Sequence, residues 1–221
     1  LLLRRVSRCP SMPDLAEHNW RPPGTSLPAI LGENIPTGAI KSPEDGRDLI
    51  FEHLLRSPSG RYVIELPAEL DLRGELLSPR NQWDRPTCAA FVGSTIGEFH
   101  AKRADPEFSE YLSPEFIYQN RDPPNTLGMY SRDVFKVMVD HGVALETEYP
   151  YQRFEKMANK PSRRVVRSAS RQKIANYARV TTVEGLKRSL YEIGICLMTL
   201  PMYSARDAFW RRVHGQPEST N

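Results

Sequence analysis

Cysteine is scarce in this 221-residue chain, and the three that occur, Cys9, Cys88 and Cys196, are odd in number and far apart. They form no Cys-x-x-Cys pair and no disulfide framework, which favours a reducing, intracellular setting. Histidine is sparse too: His18, His53, His100, His141 and His214 are scattered, and none has zinc-ligand spacing to a cysteine or another histidine. There is no Gly-rich phosphate loop. No apolar run is long enough to cross a bilayer, and Leu1–Leu3 is followed at once by Arg4 and Arg5, unlike a signal-peptide core. The first residue is not methionine, which leaves room for a segment upstream. Net charge is only +3, from 30 basic and 27 acidic residues, so neither sign dominates as a nucleic-acid binder would require. These absences argue for a protein that works without metal, cofactor, nucleic acid or membrane.

Proline is plentiful only at the start. Pro10, Pro13, Pro22, Pro23, Pro28, Pro36, Pro43 and Pro58 interrupt residues 1–60, which read as a largely disordered N-terminal extension. Within it only residues 44–56 offer a short amphipathic turn. A folded domain is expected over residues 61–221, beginning with a short strand at Tyr62–Leu66. Cys88–Lys102 predicts a helix, with Thr87 at its N-cap and Ala89, Ala90, Phe91, Val92, Ile96 and Phe99 forming a broad apolar face. A second helix is expected from Ser131, carrying Val134, Phe135, Met138 and Val139 and ending at Gly142. A third begins at Thr182, with Val183, Leu186, Leu190 and Ile193 on one face and Gly194 closing it. Ile195–Tyr203 reads as an apolar strand with no later strand to pair with. Arg163, Arg164, Arg167, Arg171 and Lys173 read as a solvated basic loop, without the interleaved aromatics that stack on bases. Helices followed by the start of a sheet define an α+β class.

Cys88 is the residue that invites chemistry. At the first turn of a helix, orphan N–H groups and the positive end of the macrodipole favour an anion, and the anionic form of cysteine is its nucleophile. Gln82, six residues earlier, carries a side-chain amide able to donate to an oxygen that becomes negative beside the sulfur. The plain alternative is a small, buried hydrophobe at a helix start.

The stretch Asn81-Gln82-Trp83-Asp84-Arg85-Pro86-Thr87-Cys88-Ala89-Ala90-Phe91 resembles the active-site segment of papain-like (C1) cysteine peptidases, in particular a microbial branch with an Arg-Gly-Thr-Cys-x-Ala-Phe pattern. Four further pieces agree in order: Leu66–Arg73 with the mature N-terminal segment, Tyr111–Tyr118 with the Leu-Ser segment, His141–Tyr151 with the Tyr-Pro-Tyr turn, and Tyr177–Tyr203 with a helix followed by an apolar strand. The resemblance implies a papain-like α+β fold, mainly its helical lobe. It also implies peptide or protein substrates, Cys88 as nucleophile and Gln82 in the oxyanion hole. Trp83 and Pro86 stand where family members carry glycine, and would line and narrow the substrate cleft. The family's catalytic Gly-His and later Asn motifs have no counterpart here, and His214 lacks their strand-like flank. The expectation is therefore a chain that stops short of its base, inactive alone; a papain-like peptide-binding module without turnover is the alternative.

Overall fold

A computed structural model describes residues 39–55, 65–83, 85–122, 127–153 and 160–200. Seventeen of these, Cys88–Ala104, form the longest described helix, α2. It is central because it is small and apolar on more than one side: Ala89, Ala90, Gly93, Ile96, Gly97 and Phe99 are all buried. Gly93 and Gly97 let neighbours come close, since a Cβ on Gly93 would strike Val134 and one on Gly97 would fall 2.7 Å from a Leu112 methyl. Those neighbours belong to α3 (Pro114–Gln119), with the chain just before it, and to α4 (Ser131–Asp140). Leu112, Ile117, Tyr118, Val134 and Met138 are almost fully buried in one cluster between these helices. Each such side chain contributes about 1.5–3 kcal/mol of transfer free energy.

The predicted helices are present with small differences. α2 runs two residues past Lys102, and Val92 faces solvent rather than the core. In α4 the fully buried positions are Val134, Val137 and Met138, while Phe135 stacks on Tyr177 with ring centroids 5.5 Å apart. The third helix, α6 (Val183–Glu192), begins as expected, with the Thr182 hydroxyl accepting from the Gly185 N–H at 2.9 Å. Only part of its apolar stripe is buried: Leu186 and Leu190 are half-buried beside the most buried positions. Val183 and Ile193 are exposed and Gly185 and Ser189 are buried, because Glu52 packs over the start of the helix, where a Gly185 Cβ would collide with its carboxylate.

Two expectations of local structure need correction. The basic stretch after Ser162 is a helix, α5 (Arg163–Ala169), capped by the Ser162 hydroxyl at 3.4 Å from the Val165 N–H. Its arginines are exposed as expected, while Val165 and Ala169 pack on Phe116, Ala144 and Tyr149. Residues 195–200 are not in a strand: among the described residues no second strand lies alongside to supply backbone partners. The strand expected at Tyr62–Leu66 falls mostly outside the described residues.

The chain before residue 60 also takes part in the fold. All the described residues, from Ala39 onward, lie in one compact unit. Strand β1 (Ala39–Ile40) pairs in parallel with β2 (Met129–Tyr130), in register Ala39 to Met129. Arg132 grips this segment with a bidentate bond to Asp48 (2.8 and 2.6 Å) and a bond to the Pro43 carbonyl at 2.6 Å. The short helix α1 (Phe51–Leu54) buries Phe51 and presents Glu52 to the N–H groups of Thr181 and Thr182 at 2.9 and 2.8 Å. Burial alone would raise the Glu52 pKa, but these bonds outweigh it and hold the carboxyl down at about 2. Proline spacing excluded long helices here; it did not exclude a strap held by side-chain bonds.

The architecture is α+β, a helical body with a two-stranded sheet. A buried carboxyl on α2, Glu98, accepts from Arg80 at 2.6 Å and from the Leu112 N–H at 2.8 Å. Burial nevertheless dominates and pushes its pKa up to about 7 from the ordinary 4.5. A carboxyl raised in the folded state gives stability that is full below pH 4.5 and lost as pH rises through 7. In urea unfolding, wild-type protein should therefore lose on the order of 2–3 kcal/mol relative to Glu98→Gln between pH 4.5 and 7. A difference that does not change with pH would show that Glu98 is ionised throughout.

Candidate active site

Pro86 leads the chain into α2, Thr87 is its N-cap and Cys88 its first residue. Cys88 is half-buried, neither sealed in the core nor fully open. Thr87 occupies the expected capping position, but its hydroxyl does not cap the helix; it lies 2.8 Å from the Tyr151 hydroxyl. The first N–H groups of α2 are thus left without a side-chain acceptor at the end of the helix where an anion is favoured.

Gln82 is half-buried, and its amide donates to the Arg85 carbonyl at 2.9 Å. A primary amide has two N–H bonds, so this contact fixes the plane of the group and leaves a second donor. Trp83, next along, has φ +53°, a left-handed conformation that costs a bulky residue about 1–2 kcal/mol. The Asn81 side chain supports it by accepting from the Trp83 N–H at 2.8 Å. This is the position where the resembled segment carries glycine, the residue that takes such a bend without strain. The Trp83 ring is 45% exposed, and the Arg153 guanidinium sits 4.6 Å above it. Pro86 is half-buried at the foot of the helix.

Beneath these residues lies a feature that sequence reading missed. Arg85 is buried and makes a two-pronged pair with the fully buried Glu115 on α3: one prong is a very short bond to Oε2 and the other measures 3.0 Å to Oε1. Arg85 also donates to the Gln152 carbonyl at 2.5 Å, and Glu115 accepts from the Gln152 N–H and the Gln119 amide. Arg85 and Glu115 are 30 residues apart, so no local pattern announces the pair.

The described histidines stand apart from Cys88. His100 is twelve residues further along α2, about 18 Å at 1.5 Å per residue. His141 follows the last residue of α4 and His53 lies on α1. His214 is outside the described residues. A cavity of about 1080 Å³ is lined by parts of residues 41–54, the His100 side of α2, residues 172–183 and residues 195–199. Cys88, Gln82 and Trp83 do not line it, so its size is no guide to the chemistry.

A thiol opening a central helix, preceded by a glutamine loop and backed by helices in this order, is the architecture of the papain-like cysteine proteases, and comparison with solved structures gives the same answer. Xylellain, a cysteine protease from Xylella fastidiosa, superposes with a TM-score of 0.57 at 26% identity, over 71% of this chain and 63% of its own. Digestive procathepsin L 3 of Tenebrio molitor larval midgut matches at 0.51 and 16% identity, over 63% of this chain and 46% of that one. A structure from work on the mite allergens Blo t 1 and Der p 1 matches at 0.50 and 20%, over 63% and 47%. This chain therefore spans less than two thirds of xylellain and under half of the other two. No family model matches it, and no curated protein matches it by sequence. The fold is papain-like, and the resemblance first seen in short motifs is one of three-dimensional structure.

Proposed function

We propose that this chain carries the nucleophile and oxyanion half of a cysteine-type endopeptidase. The observation behind the reading is Cys88 at the exposed edge of the α2 N-terminus, with no side chain capping the helix, in a fold shared with a cysteine protease at 26% identity. The Cys88 sulfur attacks the scissile carbonyl. The tetrahedral oxygen takes bonds from the Cys88 N–H and the free N–H of Gln82, and the amine leaves with a proton from the general base. Water then hydrolyses the thioester. Trp83 and Pro86 wall the substrate cleft. Among the described residues no histidine hydrogen-bonds Cys88, so the base in this reading comes from elsewhere in the protein.

The test is alkylation. Iodoacetamide should modify Cys88 about tenfold or more faster than Cys196, which is equally half-buried but lies away from any helix start. Equal rates at the two cysteines would remove the case for an activated thiol. A second reading, a peptide-binding module without turnover, draws support from the exposed Trp83 ring with Arg153 stacked on it. It requires peptide binding that is lost in Trp83→Ala and unchanged in Cys88→Ala, with no acyl-enzyme seen by mass spectrometry.

A further inference from the structure

We infer that Tyr151 is a positioning residue for Gln82, acting as a hydrogen-bonded clasp across the loop that ends at Cys88; this rests on the role proposed above for Gln82. The Tyr151 hydroxyl lies 2.8 Å from the Gln82 carbonyl and 2.8 Å from the Thr87 hydroxyl. Proton bookkeeping orders these bonds. A carbonyl only accepts, so the single phenolic proton goes to Gln82, and Thr87 must donate to the phenolic oxygen. The result is a directed chain, Thr87 to Tyr151 to Gln82, in which each bond polarises the next. The Thr87 hydroxyl is turned to Tyr151, and its oxygen accepts from no N–H of α2.

Tyr151 is held from outside the loop. Its N–H donates to Glu146 at 2.8 Å, its ring meets Phe91 edge-on at 4.7 Å, and the Arg85 guanidinium lies 4.9 Å over its face. Burial is the main influence on the phenol and raises its pKa, so the hydroxyl stays a donor. The Gln82 backbone is tied by its carbonyl and the Gln82 side chain by the Arg85 carbonyl. With both ends fixed, the second amide N–H keeps one direction relative to the first turn of α2. No residue of this clasp needs to touch substrate.

The probe is a peptide aldehyde, N-acetyl-phenylalanyl-glycinal. The Cys88 thiol adds across its C=O: an S–C bond forms, the π pair moves to oxygen, and the thiol proton ends on that oxygen. The equilibrium needs no further reactant and places an oxygen where Gln82 donates. Iodoacetamide reacts at the same sulfur without making such an oxygen, so the two reagents separate positioning of Gln82 from reactivity of the thiol. Tyr151→Phe keeps the ring and should weaken the aldehyde about tenfold while leaving iodoacetamide alkylation of Cys88 within about twofold. Gln82→Ala should weaken it by at least as much, and Gln82→Ala with Tyr151→Phe by no more than Gln82→Ala alone. Thr87→Val breaks the clasp from its other end and should act in the same direction if Tyr151→Phe folds poorly. Wild-type affinity in both clasp variants, or losses that add to that of Gln82→Ala, would overturn the inference and leave the peptidase reading standing. A wild-type chain whose Cys88 takes neither reagent faster than Cys196 would overturn that reading, and the clasp with it.

Discussion

Glu115→Ala is expected to remove about 3–5 kcal/mol of folding stability, more than any single substitution at the exposed surface. Glu115 is fully buried and Arg85 nearly so. Deleting the carboxylate does not return the guanidinium to water; it removes the two-pronged acceptor of a buried cation whose contacts with the Gln152 carbonyl and the Tyr118 and Tyr151 rings do not replace a full negative charge. The Gln152 N–H and the Gln119 amide lose an acceptor at the same time. Urea unfolding should show a lower midpoint with an unchanged slope. Arg85→Met combined with Glu115→Leu should recover much of the loss, because the cost lies in stranding one charge rather than in losing the pair. A single-variant effect under about 1 kcal/mol would mean that water reaches Arg85.

Gly142→Ala should cost about 2–4 kcal/mol, again read from the urea midpoint, and by two routes. The residue has φ +78°, where any L side chain is strained, and an added Cβ would drive into the Ala169 carbonyl. The obstacle is backbone, which cannot rotate aside as a side chain can. That backbone is fixed by α5 and by the Gln172 N–H on the same carbonyl at 2.9 Å. Gly142 itself closes α4 by donating to the Val137 carbonyl at 3.1 Å, and the next N–H, of Val143, bonds to the Gln172 carbonyl. A loss under 1 kcal/mol would show that the α4–α5 contact is loose.

Both sites show what a sequence can and cannot disclose. Gly142 was legible because a glycine after a helical run marks a left-handed stop, and the three longer helices were legible from their apolar spacing. The placement of Cys88 at a helix tip followed from Pro86, Thr87 and the apolar run behind them. The short helix α5 was hidden because its buried face is only Val165 and Ala169 among arginines, too few for periodicity to register. Arg85 with Glu115 was hidden because its partners meet only after α3 packs beside α2. In residues 39–55 the short turn expected within 44–56 is present at Phe51–Leu54, but proline content could not report what fixes this strap: Asp48 on Arg132 and Glu52 on Thr181 and Thr182, bonds made far along the chain. Trp83 was legible only as a replaced glycine; that the chain takes a left-handed bend there is seen only in the structure.

That strap has a consequence in the order of assembly. The Ser42–Arg132 bond closes a span of 90 residues and the Glu52–Thr181 bond a span of 129. Held open in a random chain, either loop would cost about 4 kcal/mol of closure entropy, more than one hydrogen bond returns. Only after the helices have condensed and shortened the effective path does docking become favourable. The strap, though it precedes the helices in the chain, is therefore last to find its place, and the same arithmetic makes it the first to let go.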